Sequence, residues 1–316
     1  DMEDGNITEK RGYYPDGATS SSIAVYTSHT LDVNKFSFIL GGRFNAYQIK
    51  AEDPTFEDID VSPSAVVGSA SVIYHLNKNY NFIGSVYSAF RAPNLNDLSS
   101  FGSFNSGIEA PNPDLAPEKS LNAELGVKVK YDKFSGSVFA FHSKLTDLIS
   151  RIETTYNGQD SIDGEKVYTK DNFAESYIQG LEAELQYEIT SNFTAYGNIS
   201  YTYGQNETRD EPMRRIPPLN GKLGIYYQHD SGFWSKLEWL GAGQQDRLGS
   251  GDISDSRIPE GGTPAWNRLD VRAGYAWKWI TLTAGLNNIL NEDYRIHGSG
   301  INGYGRSLWL AVEVGF

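Results

Sequence analysis

The chain is most constrained by a rhythm: segments with a two-residue hydrophobic period are joined by connections that are alternately very short and long. Leu121, Ala123, Leu125, Val127, Val129 and Tyr131 fall on one side, with Asn122, Glu124, Gly126, Lys128 and Lys130 on the other. Leu269, Val271, Ala273, Tyr275 and Trp277 alternate with Asp270, Arg272, Gly274 and Ala276, and Leu181, Ala183, Leu185 and Tyr187 with Glu182, Glu184 and Gln186. A helix would scatter these residues around a cylinder, whereas a strand puts each set on one face. The pattern predicts about thirteen strands, roughly over 22–31, 36–48, 64–76, 80–91, 119–131, 133–147, 174–188, 192–204, 216–228, 232–245, 265–277, 279–290 and 305–316, with no helix between them.

Short turns fall at Asp32 to Lys35, Asn77 to Asn79, Asp132, Thr190 to Ser191, His229 to Ser231 and Lys278. Long polar loops occupy roughly 49–63, 92–118, 148–173, 205–215, 246–264 and 291–304. A soluble sandwich has no reason to gather every long loop at one end. Outer-membrane barrels do, with short periplasmic turns and long extracellular loops. The mean hydropathy of −0.46 is compatible with this, because lipid-facing and lumen-facing residues alternate. No apolar run reaches the ~20 residues of a membrane-spanning helix.

Composition narrows the function. The 316 residues include no cysteine, which excludes disulfides and cysteine-ligated metal sites. A net charge of −13, carried largely by the long loops, argues against nucleic acid as a partner. Residues Asp1 to Lys10 show no apolar core of a signal peptide. The last segment places Leu308, Leu310, Val312, Val314 and the terminal Phe316 on one face, an aromatic-ended stripe that resembles the insertion signal of bacterial outer-membrane barrels. With Phe316 at the periplasmic rim, thirteen strands put Asp1 outside the cell, whereas bacterial single-chain barrels have an even strand number. The expectation is therefore an extracellular loop remnant over 1–21 and the C-terminal portion of a larger barrel over 22–316.

Four sequence boxes carry a family resemblance. Phe90-Arg91-Ala92-Pro93-Asn94-Leu95 is followed by Asn112-Pro113-Asp114-Leu115-Ala116-Pro117-Glu118, then by Arg215-Ile216-Pro217-Pro218-Leu219-Asn220-Gly221, and finally by Leu286-Asn287-Asn288-Ile289-Leu290-Asn291-Glu292-Asp293-Tyr294. In order and spacing they resemble the second half of the barrel of TonB-dependent outer-membrane receptors, across at least residues 22 to 316. The resemblance implies an all-β, antiparallel transmembrane barrel of about 22 strands, of which this chain supplies about 13. It also implies a Gram-negative outer-membrane location and a plug domain in the missing N-terminal half. The TonB energy-transducing complex would be engaged through that plug. The implied function is import of a scarce small-molecule metal chelate, an iron siderophore first, then haem or cobalamin. The alternative is a passive channel or structural barrel that closes on itself. No enzyme constellation, cofactor or resident metal site is expected. Loops this short argue against a glycan importer.

Candidate residues follow from the alternation and the loops. Arg43, Arg91, Glu124, Lys128, Glu182, Glu184, Lys222, Glu238, Asp270, Arg272 and Glu313 are expected on the lumen wall, facing either a plug or water. For ligand binding, Phe101, Phe104, Asn105, Tyr156, Trp266, His297 and Tyr304 offer aromatic, amide or imidazole groups, with Tyr168 and Tyr294 as further aromatics. The competing roles are loop packing and an interfacial aromatic belt. The paired boxes also resemble those of haem receptors, whose pattern includes a histidine in the loop between them. This chain has none between Pro93 and Glu118, which weakens a haem assignment. His297 is the one histidine in a long loop, whereas His29, His75, His142 and His229 read as strand-end or turn residues. The acidic set Asp246, Asp252, Asp255 and Glu260 offers oxygen ligands for calcium but lacks a calcium loop's spacing, and reads as a solvated loop.

Overall fold

Period-two alternation becomes a single sheet. The structure is a computed structural model and describes residues 2–3, 6–7, 15–52, 58–104 and 107–315. Among the described residues the long strands are β1 (Thr19–Val33), β2 (Phe36–Ala51), β3 (Ser64–His75), β4 (Tyr80–Arg91), β5 (Glu118–Lys130), β6 (Phe134–Glu153), β7 (Glu165–Glu188), β8 (Phe193–Asn206), β9 (Asn220–Gln228), β10 (Phe233–Ala242), β11 (Trp266–Trp277), β12 (Ile280–Asn287) and β13 (Ser307–Val314). Each long strand pairs antiparallel with its chain neighbours, so the order in the sheet is the order in the sequence. Among the described residues no helix is long and apolar enough to cross a membrane.

The registers keep the two faces chemically distinct. Leu125 stands opposite Ala140 and Gly84, while its neighbour Glu124 stands opposite Phe141 and Ser85. On the apolar face Leu125 is 70% exposed, Val66 78% and Leu310 75%, in keeping with a sheet whose outer face meets lipid. A one-residue slip anywhere would swap this band for charge, so the alternation itself fixes the register.

Glycines on the polar face are covered by rings from the next strand. Phe139 lies over Gly126, Tyr196 over Gly224, Trp234 over Gly274 and Trp309 over Gly285, each directly opposite its glycine. The ring fills the space a side chain would have taken, which pins the local register. This accounts for aromatic residues on the charged side of the strands.

The end strands differ from the rest. β1 pairs in register with β2 and β13 with β12, and every residue of β1 is exposed. Interior strands have a partner on each side.

The structure corrects several sequence expectations. Two short helices, α1 (Leu95–Ser99) and α2 (Ser250–Ile253), lie where no helix was expected. Short strands occupy Ile59–Val61, Gly102–Phe104, Gly107–Ala110, Ser161–Ile162 and Glu211–Pro212 within the long loops. Met2–Glu3 pairs with Asn6–Ile7 inside the expected loop remnant, and β1 begins at Thr19 rather than 22. β6 and β7 pair beyond their predicted ends, as far as Glu153 opposite Tyr168, after a register shift between Leu145 and Ile149. The extension carries polar residues on both faces, so no alternation marked it. His142 is a mid-strand residue stacked on Tyr177 at 5.6 Å, not a strand end, and His29 likewise lies within β1.

Candidate functional site

The charged residues assigned to the lumen wall share the polar face. Lys128, Ser137, Glu184, Asn198 and Lys222 stand opposite one another across five successive strands. Glu182 faces Phe139, Glu238 faces Asp270, Lys236 faces Arg272, and Thr281 faces Glu313. The Tyr87 hydroxyl donates to Glu124 Oε1 (2.9 Å), Tyr196 to Glu238 Oε1 (2.9 Å), and Arg43 Nε to Asn45 Oδ1 (2.7 Å). Lys236 Nζ lies 3.1 Å from Glu238 Oε1 and Lys222 Nζ 3.9 Å. Glu238 and Asp270 thus stand side by side as like charges, as do Lys236 and Arg272, and the Glu238 carboxylate is met by a lysine of the same strand, Lys236, and by Lys222 of the neighbouring one. Near β11, Arg268 Nε, Arg272 Nε and Asn287 Oδ1 are buried without a hydrogen bond.

The four boxes build the long-loop end. Asn94 caps α1, accepting from Asp97 N (3.0 Å), while Asp97 Oδ2 accepts from Asn94 N (3.0 Å), a reciprocal capping box. Arg91 closes the paired boxes, reaching Asp97 Oδ2 at 2.6 Å and Glu118 Oε2 at 2.5 Å. Glu118 Oε1 in turn accepts from Ile149 N (2.9 Å). Behind them Ile49, Ala51, Ile59, Leu98 and Leu115 form a small buried core.

Glu109, missed in the sequence, is the hub of this end. It is 1% exposed, and its carboxylate meets Arg151, Lys170 Nζ (3.0 Å) and the Ser100 hydroxyl, which donates at 2.6 Å. Burial alone would raise its pKa; the hydrogen bonds from Ser100, Arg151 and Lys170 outweigh that and hold the carboxyl below its ordinary value. The Arg151 guanidinium lies 3.8 Å over the Phe104 ring, which meets Tyr168 edge-on at 5.6 Å, and Phe101 lies 6.1 Å from Tyr156. The structure therefore brings Phe101, Phe104 and Tyr156 to one region. Asn105 and Phe316 lie outside the described residues.

Trp266 and His297 belong to a second region. Trp266 is the first residue of β11, within the strand expected over 265–277, and packs on Tyr294 at 4.8 Å. His297 Nδ1 is 2.9 Å from Thr263 Oγ1, and its buried Nε2 has no hydrogen-bond partner. Burial pushes the His297 imidazole below the ordinary histidine value; nearby Asp252 opposes this and Arg215 adds to it. A cavity of about 460 Å³ opens beside these residues, reaching Arg215 and Lys222. Tyr304 stands apart: its side chain is 85% exposed, and only its carbonyl is used, accepting from Asn288 Nδ2 (3.0 Å).

Asn288 shows why the last box has its sequence. It is 1% exposed at φ +49°, a region asparagine tolerates better than most residues. Its N–H donates to Asp270 Oδ1 (2.8 Å), its Nδ2 also donates to Glu292 O (2.8 Å), and its Oδ1 accepts from Glu292 N (2.9 Å).

Of the acidic set, Asp246 and Glu260 are exposed as a solvated loop predicts, whereas Asp252 and Asp255 are buried, Asp252 accepting the Arg215 backbone N–H and Asp255 meeting arginine side chains. Arg214 Nη2, Arg257 Nη2 and Arg215 Nη2 lie 2.6, 2.7 and 3.0 Å from Asp255 Oδ2. Among the described residues no group of three or more histidine or acidic side chains is arranged to hold a metal.

Residues 2–289 match the family model described as "TonB dependent receptor-like, beta-barrel". An iron-regulated outer membrane virulence protein of Vibrio cholerae is 26% identical over 259 residues, covering 77% of this chain and 38% of the relative. A heme/hemopexin utilization protein C of Haemophilus influenzae is 21% identical over 313 residues, covering 87% and 40%. Among solved structures, a copper transporter, OprC, superposes with a TM-score of 0.79 at 19% identity, covering 95% of this chain and 48% of that one. The chain thus spans under half the length of each of these three.

Proposed function

The chain belongs to the TonB-dependent receptor β-barrel family, and on that premise we propose that it is the C-terminal portion of an outer-membrane receptor that imports a metal chelate, most specifically a ferric siderophore. One observation carries the reading. The sheet is apolar on one face and charged on the other, yet β1 and β13 each have a single partner in register. Two long edges cannot stand unpaired in lipid, where every exposed N–H and C=O costs several kcal/mol, about 2–7 by transfer estimates. The missing strands would complete the barrel, and a plug domain within it would meet the charged wall. The buried Arg268 Nε, Arg272 Nε and Asn287 Oδ1 atoms, which have no hydrogen-bond partner, support such a complementary polar surface. TonB would act through that plug, and the long loops would face the outside.

The relatives' printed names speak of iron regulation, haem utilization and copper transport, and this recurrence of metals supports a metal chelate as the cargo. The test is uptake of radioactive iron, presented as siderophore complexes, by cells expressing the complete receptor with and without TonB. Uptake that needs both receptor and TonB is the expected result. TonB-independent leakage, or a stable open conductance from this chain alone in a planar bilayer, would favour a passive barrel instead.

A further inference from the structure

Four polar side chains form a hydrogen-bonded line at the short-turn end of the sheet, away from the long loops. Asp32 lies one residue from the end of β1, Ser37 is the second residue of β2, His75 the last of β3 and Asn81 the second of β4. Asp32 and Ser37 are a register pair, as are His75 and Asn81. Their chain neighbours Leu31, Phe38, Tyr74 and Phe82 belong to the apolar face, so these four share the polar one.

Ser37 Oγ donates to Asp32 Oδ1 at 2.5 Å and lies 3.0 Å from His75 Nε2, while His75 Nδ1 lies 2.6 Å from Asn81 Oδ1. Asn81 Oδ1 can only accept, so Nδ1 carries a proton, and the neutral ring then has its lone pair on Nε2, towards Ser37. One hydroxyl proton thus faces two acceptors, a carboxylate and an imidazole nitrogen. A hydroxyl within reach of a base that a third group orients is the arrangement of acyl-transfer sites. Ser37, His75 and Asn81 are half-buried, which leaves Oγ open to a small molecule. Asn81 also borders a cavity of about 520 Å³, where Lys128, Lys130 and Lys222 outnumber the carboxylate of Glu184. Lys128 stands directly opposite Asn81. These ammonium groups suit a substrate with negative charge of its own, and an oxyanion developing beside them.

We propose that Ser37, His75 and Asn81 form a hydrolytic site for small anionic carboxylic esters, with Ser37 as nucleophile, His75 as base and Asn81 as positioning residue. Ser37 Oγ bonds to the ester carbonyl carbon as its proton passes to His75 Nε2. The tetrahedral intermediate then breaks its bond to the alkoxy oxygen, which leaves as the alcohol with that proton. Water, giving a proton to His75, attacks the acyl-serine; the Ser37 oxygen leaves, regains the proton and releases the acid. The Asp32 carboxylate, one hydroxyl away, favours the imidazolium that forms in between. The site is remote from the long loops and stands whatever cargo they take.

The complete receptor in detergent is treated with a fluorophosphonate probe, and the modified residue is located by peptide mass spectrometry. Phosphonylation of Ser37 is expected, and its loss in His75→Gln. With the para-nitrophenyl monoester of adipic acid, nitrophenol release is expected to fall about a hundredfold or more in Ser37→Ala and in His75→Gln. Asn81→Ala is expected to lower kcat with KM unchanged, and Asn81→Asp to recover part of it, which a packing role would not produce. Para-nitrophenyl hexanoate, of the same chain length without the charge, is expected to have a kcat/KM lower by about tenfold or more. Absence of a Ser37 adduct in the unsubstituted receptor overturns the proposal without requiring any variant to fold. Hydrolysis that persists in Ser37→Ala overturns it as well, and equal kcat/KM for the two esters overturns the anionic class. Siderophore uptake is read separately, so failure of the receptor reading leaves these outcomes unchanged.

Discussion

Replacing Glu109 with glutamine should loosen the loop between β4 and β5 without unfolding the barrel. The carboxylate is 1% exposed and is shared by Arg151, 38% exposed, and Lys170, 14% exposed. Removing one partner of a buried ion pair costs about 3–5 kcal/mol in general. Here Arg151 retains solvent and the Phe104 ring, and Lys170 retains Asn96 O at 2.7 Å, so about 2–4 kcal/mol is the appropriate range. At roughly 1.4 kcal/mol per tenfold, about 3 kcal/mol raises the locally open population on the order of a hundredfold. Amide hydrogen exchange over residues 95–118, read by mass spectrometry in detergent, should show that acceleration while β5 to β8 remain protected. The same ion pair sets a pH dependence. Glu109 has a folded-state pKa below its unfolded value, so its contribution is complete above the unfolded value of about 4.3 and is lost as pH falls through the lower folded value. Protection in Glu109→Gln should lack that acid-dependent step. Unchanged exchange in the variant, or acceleration spread evenly over the barrel, would refute the hub role.

Two further substitutions probe the packing. Asn288→Ala strips partners from Glu292 N, Glu292 O and Tyr304 O and puts alanine at positive φ, at a cost of about 2–4 kcal/mol; proteolysis between 288 and 306 should quicken, and an unchanged cleavage rate would contradict the anchoring role. Gly274→Val drives a side chain into Trp234 and should cost about 1–3 kcal/mol, lowering the urea midpoint of the barrel in micelles, whereas no shift would mean the ring does not depend on its glycine.

The strands were legible because lipid and lumen impose opposite chemistry on alternate residues. Leu121 to Tyr131 could be read directly for that reason. The β6–β7 extension was not, since Arg151, Glu153, Lys166 and Lys170 carry charge on one face while Ser150, Thr169 and Asp171 make the other polar too. The short helices escaped for a related reason: α1 is set by a local capping box, Asn94 with Asp97, rather than by any apolar period. Charged wall positions such as Glu184 and Lys222 follow from the same alternation and fall on one face. The long-loop end was less legible. Phe101, Phe104 and Tyr156 gather, and Trp266 meets Tyr294 near His297, but Glu109 and Asp255 acquire their importance from residues 42 and 41 positions away, through Arg151 and Arg214. Acidic spacing along the chain suggested a solvated loop, whereas the fold delivers arginines to it from another loop.

The central claim is that β1 and β13 are edges that other strands of the same receptor cover. These 316 residues hold no cysteine, so paired cysteines introduced in them meet no other thiol of this portion. In the complete receptor, Val25→Cys combined with Leu310→Cys should give no disulfide between β1 and β13 on oxidation, and each cysteine should instead cross-link to cysteines placed in strands of the N-terminal portion. A β1–β13 disulfide formed in high yield would show that these thirteen strands close on themselves and would contradict the account.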